Sequence, residues 1–129
     1  MKGSKVKPPF YAQGGEDKIC YKLLRKIGER SRCAVEFGAH DGFYKSNTDY
    51  FRTELGWRVL LLDVEPRSAL VQQATITVDN INAVFRAHDV PDDVDLVSID
   101  IDGNDLWVWK ALTYEPQIVI IEYNPKWQP

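Results

Sequence analysis

The chain holds little that would tie it to zinc, membranes or polyanions. Its 129 residues include two cysteines and two histidines, and no Cys/His grouping has the spacing of a zinc site. Cys20 and Cys33 both sit in apolar surroundings. They read as buried free thiols rather than a disulfide, in a reducing, cytoplasmic setting. No apolar run approaches ~18 residues, so no membrane span is expected. The N-terminus lacks the apolar stretch of a secretory signal. Lys2, Lys5 and Lys7 are the only basic cluster, and they read as a solvated terminus. With 16 basic and 19 acidic residues and a net charge of -3, a nucleic-acid surface is not favoured. The dinucleotide spacing G-x-G-x-x-G is missing, which argues against a nicotinamide enzyme. No serine sits in a G-x-S-x-G turn.

What is present is a row of acids. Four apolar runs each end on carboxylates: Val35-Glu36-Phe37-Gly38, Leu60 to Glu65, Val97 to Asp102, and Ile120-Ile121-Glu122-Tyr123-Asn124. Such runs read as buried parallel strands. The acids fall at their C-terminal ends, where open α/β sheets bind ligands. Carboxylates gathered there repel one another unless a cation or a hydroxyl-rich group joins them. The composition, 44% hydrophobic, is enough for one core.

Residues 1–15 are rich in Pro and Gly and read as an irregular arm, followed by one domain over 16–129. Ile19, Cys20, Leu23, Leu24 and Ile27 make a helical stripe over 16–27, with acids first, bases last and Gly28 as the stop. Strand 33–38 and a Gly-containing loop follow. A second helix is expected from Ser46, with Asp49 as capping partner and Gly56 as the end. Strand 57–64 stops at Pro66. Residues 67–73 are expected as a short helix and 74–78 as a short strand. A helix over 80–88, a strand over 94–102, a helix over 105–112 and a strand over 117–123 complete the pattern. Alternating strands and helices predict a doubly wound α/β sheet, mostly parallel, of four or five strands. Its crevice should lie between the Val35 and Val97 strands.

The loop Glu36-Phe37-Gly38-Ala39-His40-Asp41-Gly42 resembles motif I of class I S-adenosylmethionine-dependent methyltransferases, in the form used by the FkbM-type group. Gln13-Gly14-Gly15-Glu16-Asp17 resembles the segment opening the preceding helix, and Ser46-Asn47-Thr48 the start of the next. Asp63-Val64-Glu65-Pro66 is similar to the acidic end of the second strand. Ser98 to Asp105 is similar to the fourth-strand motif. The likeness runs from about Gln13 to Asn124. It implies a Rossmann-like fold and S-adenosylmethionine-dependent methyl transfer, to oxygen on a small or glycan-like acceptor. Glu36, Gly38, His40, Asp41, Gly42, Asp63 and Glu65 would form the cofactor site. Asp63 would take bonds from the ribose hydroxyls, and Glu36 would meet the methionine amino group. For Glu36 the alternative is a cap on loop amides. A reduced, non-catalytic module that kept the fold is the rival reading.

Asp100 and Asp102 share one strand face, and Glu122 and Asn124 repeat the spacing. Adjacent strands lie about 4.8 Å apart, so these oxygens could converge on Mg²⁺. Methyltransferases of the catechol type bind Mg²⁺ at the ends of these strands. Alternatively, Asp102 or Asn104 caps the helix at Asp105. Asp100 and Asp102 are the catalytic candidates, orienting the acceptor or a metal. His88 ends a helix and reads as structural. Trp57, Trp107 and Trp109 read as core or interface; Tyr44, Tyr123 and Trp127 are the exposed aromatic candidates.

The stretch between Pro66 and Asn80 is short for the family's helix and third strand, and the antiparallel pair beyond the fifth strand is missing. That leaves an open sheet edge and predicts a homodimer, with a small-molecule substrate and neither nucleic acid nor membrane as partner.

Overall fold

The computed structural model describes residues 12, 14–42, 45–100 and 105–121. Helix α1 (Glu16–Ile27) leads into β1 (Cys33–Phe37), α2 (Asp49–Thr53), β2 (Arg58–Asp63), β3 (Gln72–Gln73), α3 (Ile81–Ala87), β4 (Leu96–Ile99), α4 (Asp105–Ala111) and β5 (Ile118–Ile121). The strands form one sheet in the order β3-β2-β1-β4-β5. Every pairing is parallel. The winding reverses between β1 and β4, as the sequence pattern predicts, and the fold is a doubly wound, Rossmann-like α/β sheet.

Strand alternation sorts the core onto two faces. Val35, Phe37, Leu60, Leu62, Val97 and Ile99 pack with Ile81 and Phe85 of α3 and Val108 of α4. Ala34 and Leu96 point the other way, to Cys20 and Leu24 of α1, to Phe51 of α2 and to Trp57. The central strands are buried on both faces, which is why they read as continuous apolar runs rather than alternating ones.

Helix α1 opens on Glu16 and Asp17 and closes on Arg25 and Lys26, each favourable to the helix dipole. Gly28 ends it, donating its N–H to the Leu24 carbonyl at 2.8 Å. Its buried face is narrower than the apolar stripe suggests. Cys20 and Leu24 are inside, while Ile19, Leu23 and Ile27 are exposed. Trp57 is in the core, but Trp107 and Trp109 on α4 are 58% and 42% exposed.

The expected helix over 67–73 and strand over 74–78 are not formed. Residues 64–71 make turns, and the third strand is Gln72–Gln73, shorter and earlier than the pattern suggests. Both glutamines are exposed and join β2 through the backbone, with Gln72 opposite Leu62 and Gln73 opposite Asp63. No apolar periodicity can announce such a strand.

The opposite end of the sheet is fastened by Asp95, which is fully buried. Its carboxylate accepts from the backbone N–H groups of Arg30, Ser31 and Arg32 at 2.8–3.1 Å. It also accepts from the Gln117 side chain at 2.8 Å. One acid thereby holds the α1–β1 turn and the entry to β5 onto β4.

Candidate functional site

The C-terminal ends of β1, β2 and β4 enclose a cavity of about 320 Å³. Phe37, Leu62 and Ile76 give it apolar walls, and His40, Asp63 and Asp100 give it polar ones. This is the carboxyl end of the sheet beside the switch point, the place where doubly wound folds bind ligands.

Gly38 shapes the cavity. Its backbone is left-handed, φ 71°, and a β-carbon there would fall 2.0 Å from the Asp100 carbonyl oxygen. The loop after β1 and the end of β4 therefore touch backbone to backbone, and the open space lies on the β2 side.

The loop 38–42 is strapped onto β2 and the connection after it. Ala39 N–H donates to the Leu62 carbonyl at 3.0 Å, and Arg67 N–H donates to the His40 carbonyl at 3.0 Å. His40 N–H donates to the Asp63 carboxylate at 2.8 Å. The Ser68 hydroxyl donates to the Asp41 carbonyl at 2.7 Å. The other Asp63 oxygen accepts from Glu65 N–H at 3.0 Å. Asp63 thus organises the cavity wall from the end of β2 while it lines the cavity itself. Gly42 closes the loop by donating to the Ala39 carbonyl at 2.8 Å.

A second polar cluster lies beneath the loop into α2. Glu36 on β1 is only 6% exposed. Its carboxylate accepts from the hydroxyls of Ser46 at 2.8 Å and Thr48 at 2.5 Å, and from the backbone N–H groups of Thr48 at 3.2 Å and Asn47 at 3.4 Å. Burial pushes the Glu36 carboxyl above the ordinary range, and bonds from Thr48, Ser46 and Asn47 pull it partly back. The Asn47 side chain donates to the Ser98 hydroxyl on β4 at 2.9 Å, and Ser98 faces Glu36 across the β1–β4 pairing. The Ser46 hydroxyl takes the N–H of Asp49 at 3.0 Å, the half of a capping box that the sequence suggests. The Asp49 carboxylate turns instead to Arg52 at 2.5 Å, and the helix runs Asp49–Thr53 rather than from Ser46 to Gly56.

The expected residues therefore fall into separate groups. His40, Gly38, Asp63 and Asp100 share the cavity. Asp41 and Gly42 build the loop behind it, and Glu65 lies exposed on the far side of Asp63. Glu36 is committed to the α2 loop. Asp102, Glu122 and Asn124, together with Asn104, Tyr44, Tyr123 and Trp127, lie outside the described residues. Of the four residues expected to share Mg²⁺, Asp100 alone is described, and among the described residues no group of three or more His, Cys, Asp or Glu side chains is arranged to hold a metal ion. Among them, too, no helix is long and apolar enough to cross a membrane.

The sequence pattern missed Ala74, Thr75 and Ile76 as cavity wall. They follow β3, whose place was hidden by its exposed glutamines. It missed the donors Thr48 and Asn47 to Glu36 as well, although an acid inside an apolar run is a signal that partners must exist. Compared with known proteins, the chain matches no protein-family model, no curated protein and no solved structure.

Proposed function

We propose that the protein is an S-adenosylmethionine-dependent methyltransferase acting on an oxygen of a small or glycan-like acceptor. The observation that carries this reading is the make-up of the switch-point cavity: apolar side walls, the Asp63 and Asp100 carboxylates, and no Lys or Arg among its described lining. Such a wall disfavours phosphates. It suits a nucleoside with hydroxyls for Asp63 and a cationic substituent, and a sulfonium nucleoside has both. The motif resemblance in Glu36 to Gly42 and Asp63 to Pro66 points the same way. Catalysis on this reading is positioning: the bound sulfonium is already activated, and the protein aligns the acceptor oxygen with it. On this reading Asp100, at the end of β4, orients that oxygen.

One observation favours a second reading, a non-catalytic module with a ligand- or partner-binding role. The Glu36 carboxylate, expected to meet the methionine amino group, is taken up by Ser46, Asn47 and Thr48. A second copy is proposed as partner, seated on β5, one of the two sheet edges among the described residues. A reducing, cytoplasmic setting is proposed with it, in keeping with two buried free thiols.

Calorimetric titration of S-adenosylmethionine and S-adenosylhomocysteine, with and without Mg²⁺, decides between the two readings. Micromolar binding by the native protein, lost in Asp63→Ala and weakened in Asp63→Asn, is the expected result. Asp63→Asn keeps an acceptor for the His40 amide, so it separates loss of the ligand contact from loss of the loop. No heat at millimolar ligand would overturn the methyltransferase reading in favour of the module.

A further inference from the structure

We propose that a second cavity, on the α1 side of the sheet, is a binding site for a small monocarboxylate with an aromatic body. It lies between α1 and α2 and has a volume of about 350 Å³, within the range of small-molecule sites. It shares no described lining residue with the switch-point cavity. Binding here therefore stands or falls separately from the methyltransferase reading.

The apolar walls are set before any ligand arrives. Leu24 of α1 and Phe51 of α2 are buried, and with the half-buried Leu55 they make the floor. Tyr21 forms one side. Its ring meets Tyr50 edge-on with centroids 5.7 Å apart, Tyr50 meets Phe51 at 5.8 Å, and Phe51 meets Trp57 at 4.8 Å. This run of rings fixes the faces of Tyr21 and Phe51, and such faces favour one further ring.

The rim carries a cation that has no acid. Arg25 holds its guanidinium carbon over the Tyr21 ring, 5.8 Å from the centroid. It enters none of the ion pairs among the described residues. Glu29, four residues on, would face it had α1 continued. Gly28 ends the helix instead, with φ 90°. Glu29 turns to accept the Trp57 indole N–H at 3.2 Å and to pair with Arg32 at 3.8 Å. A guanidinium stacked on a ring keeps its N–H edge for an acceptor, and a carboxylate matches that fork. The Glu29 charge on the same rim disfavours a dianion such as a phosphate monoester. One negative charge joined to an apolar ring satisfies both ends of the cavity.

The test is NMR titration of the native protein, Arg25→Gln and Arg25→Lys. The probes are phenylacetate, its neutral amide phenylacetamide, and acetate. Phenylacetate is expected to bind the native protein at about 1 mM or tighter, shifting the amides of Gly28 and Glu29 and the Trp57 indole N–H. Binding should weaken about tenfold or more in Arg25→Gln, and equally for the neutral amide, but less in Arg25→Lys. Arg25 is exposed, so the variants keep the fold. Acetate, the head without the body, should leave those signals unmoved. Unchanged affinity in Arg25→Gln, acetate binding as tightly as phenylacetate, or no shift with phenylacetate at roughly 10 mM would each overturn the proposal. Shifts confined to Gly38 and His40 would place the ligand in the switch-point cavity and overturn it as well.

Discussion

Gly38 and Asp100 meet backbone to backbone: a β-carbon on residue 38 would lie 2.0 Å from the Asp100 carbonyl oxygen. Two demands coincide at this glycine, a left-handed φ of 71° and the closest approach of the β1 loop to β4. Gly38→Ala must strain the backbone and also push β4 away. We expect it to cost about 3 kcal/mol or more. Gly56 also has a left-handed φ, of 70°, but open space around it, so Gly56→Ala should cost only about 1 kcal/mol. Urea unfolding of both variants measures the difference. Equal costs would show that the contact with Asp100 carries no weight.

Asp95 carries the other end of the sheet. Asp95→Ala leaves the N–H groups of Arg30, Ser31 and Arg32 without their buried acceptor and the Gln117 side chain without one of its partners. A loss of about 3–5 kcal/mol is expected. Arg30 itself is part-exposed, and its ion pair with Asp95 is long at 3.8 Å. Arg30→Gln keeps the backbone bonds and removes the ion pair together with the guanidinium's bonds to the Val94 and Glu115 carbonyls, so it should cost about 1–2 kcal/mol. If denaturation shows Arg30→Gln to be as damaging as Asp95→Ala, the Arg30 side chain rather than the amide cluster would be the fastening.

Glu36 gives stability a pH dependence of definite sign. Its carboxyl is raised in the folded protein, chiefly by burial, so the folded state holds the proton more tightly than the unfolded chain does. The contribution is fully present below the unfolded value and fades as pH rises through the raised folded one. Ionisation of Glu36 therefore works against the fold. Glu36→Gln still offers an oxygen to Ser46 and Thr48 and never ionises. Relative to this variant, native stability is expected to fall as pH rises above the ordinary carboxyl value of about 4.3. Unfolding midpoints that run parallel above that value would contradict the assignment.

The proposed second copy is tested through β5. Ile118 N–H donates inward to the Asp95 carbonyl at 3.0 Å, so strand alternation turns the Val119 N–H outward. Val119→Pro removes an outward donor and spares the inner ladder. Light scattering at high concentration should show a dimer for the native chain and a monomer for the variant. A native monomer would sink the proposal.

The sheet was legible because its strands are buried on both faces and carry unbroken apolar runs. Val35, Leu60 and Val97 announce β1, β2 and β4, and their neighbour order follows from the βαβ pattern. The cavity residues Gly38, Asp63 and Asp100 were legible from their positions at strand ends. Other features were hidden for physical reasons. Gln72 and Gln73 join the sheet through the backbone alone, so their side chains say nothing of it. Ala74 and Ile76, spaced like a strand, pack against the core, yet beyond the Ala74 N–H bond to the Asp63 carbonyl they form no strand. Asp95 looks like one more strand acid, and only the folded chain shows the turn amides of Arg30 to Arg32 closing on it. Glu36 reads equally as a ligand contact or a cap on loop amides, and only the fold brings the Asn47 and Thr48 amides and the Ser46 and Thr48 hydroxyls onto it.

The strand order has a consequence for the growing chain. β3, β2 and β1 form one half of the sheet, and all three are translated before β4. Until β4 emerges, roughly sixty residues after β1, the inner edge of β1 has no neighbour. At ribosomal speeds of about 5–20 residues per second that interval lasts roughly 3–12 s. The central seam of the sheet thus stays open long after its first strand is made, and for those seconds the nascent half-sheet offers Ala34 and Val35 to any other strand within reach.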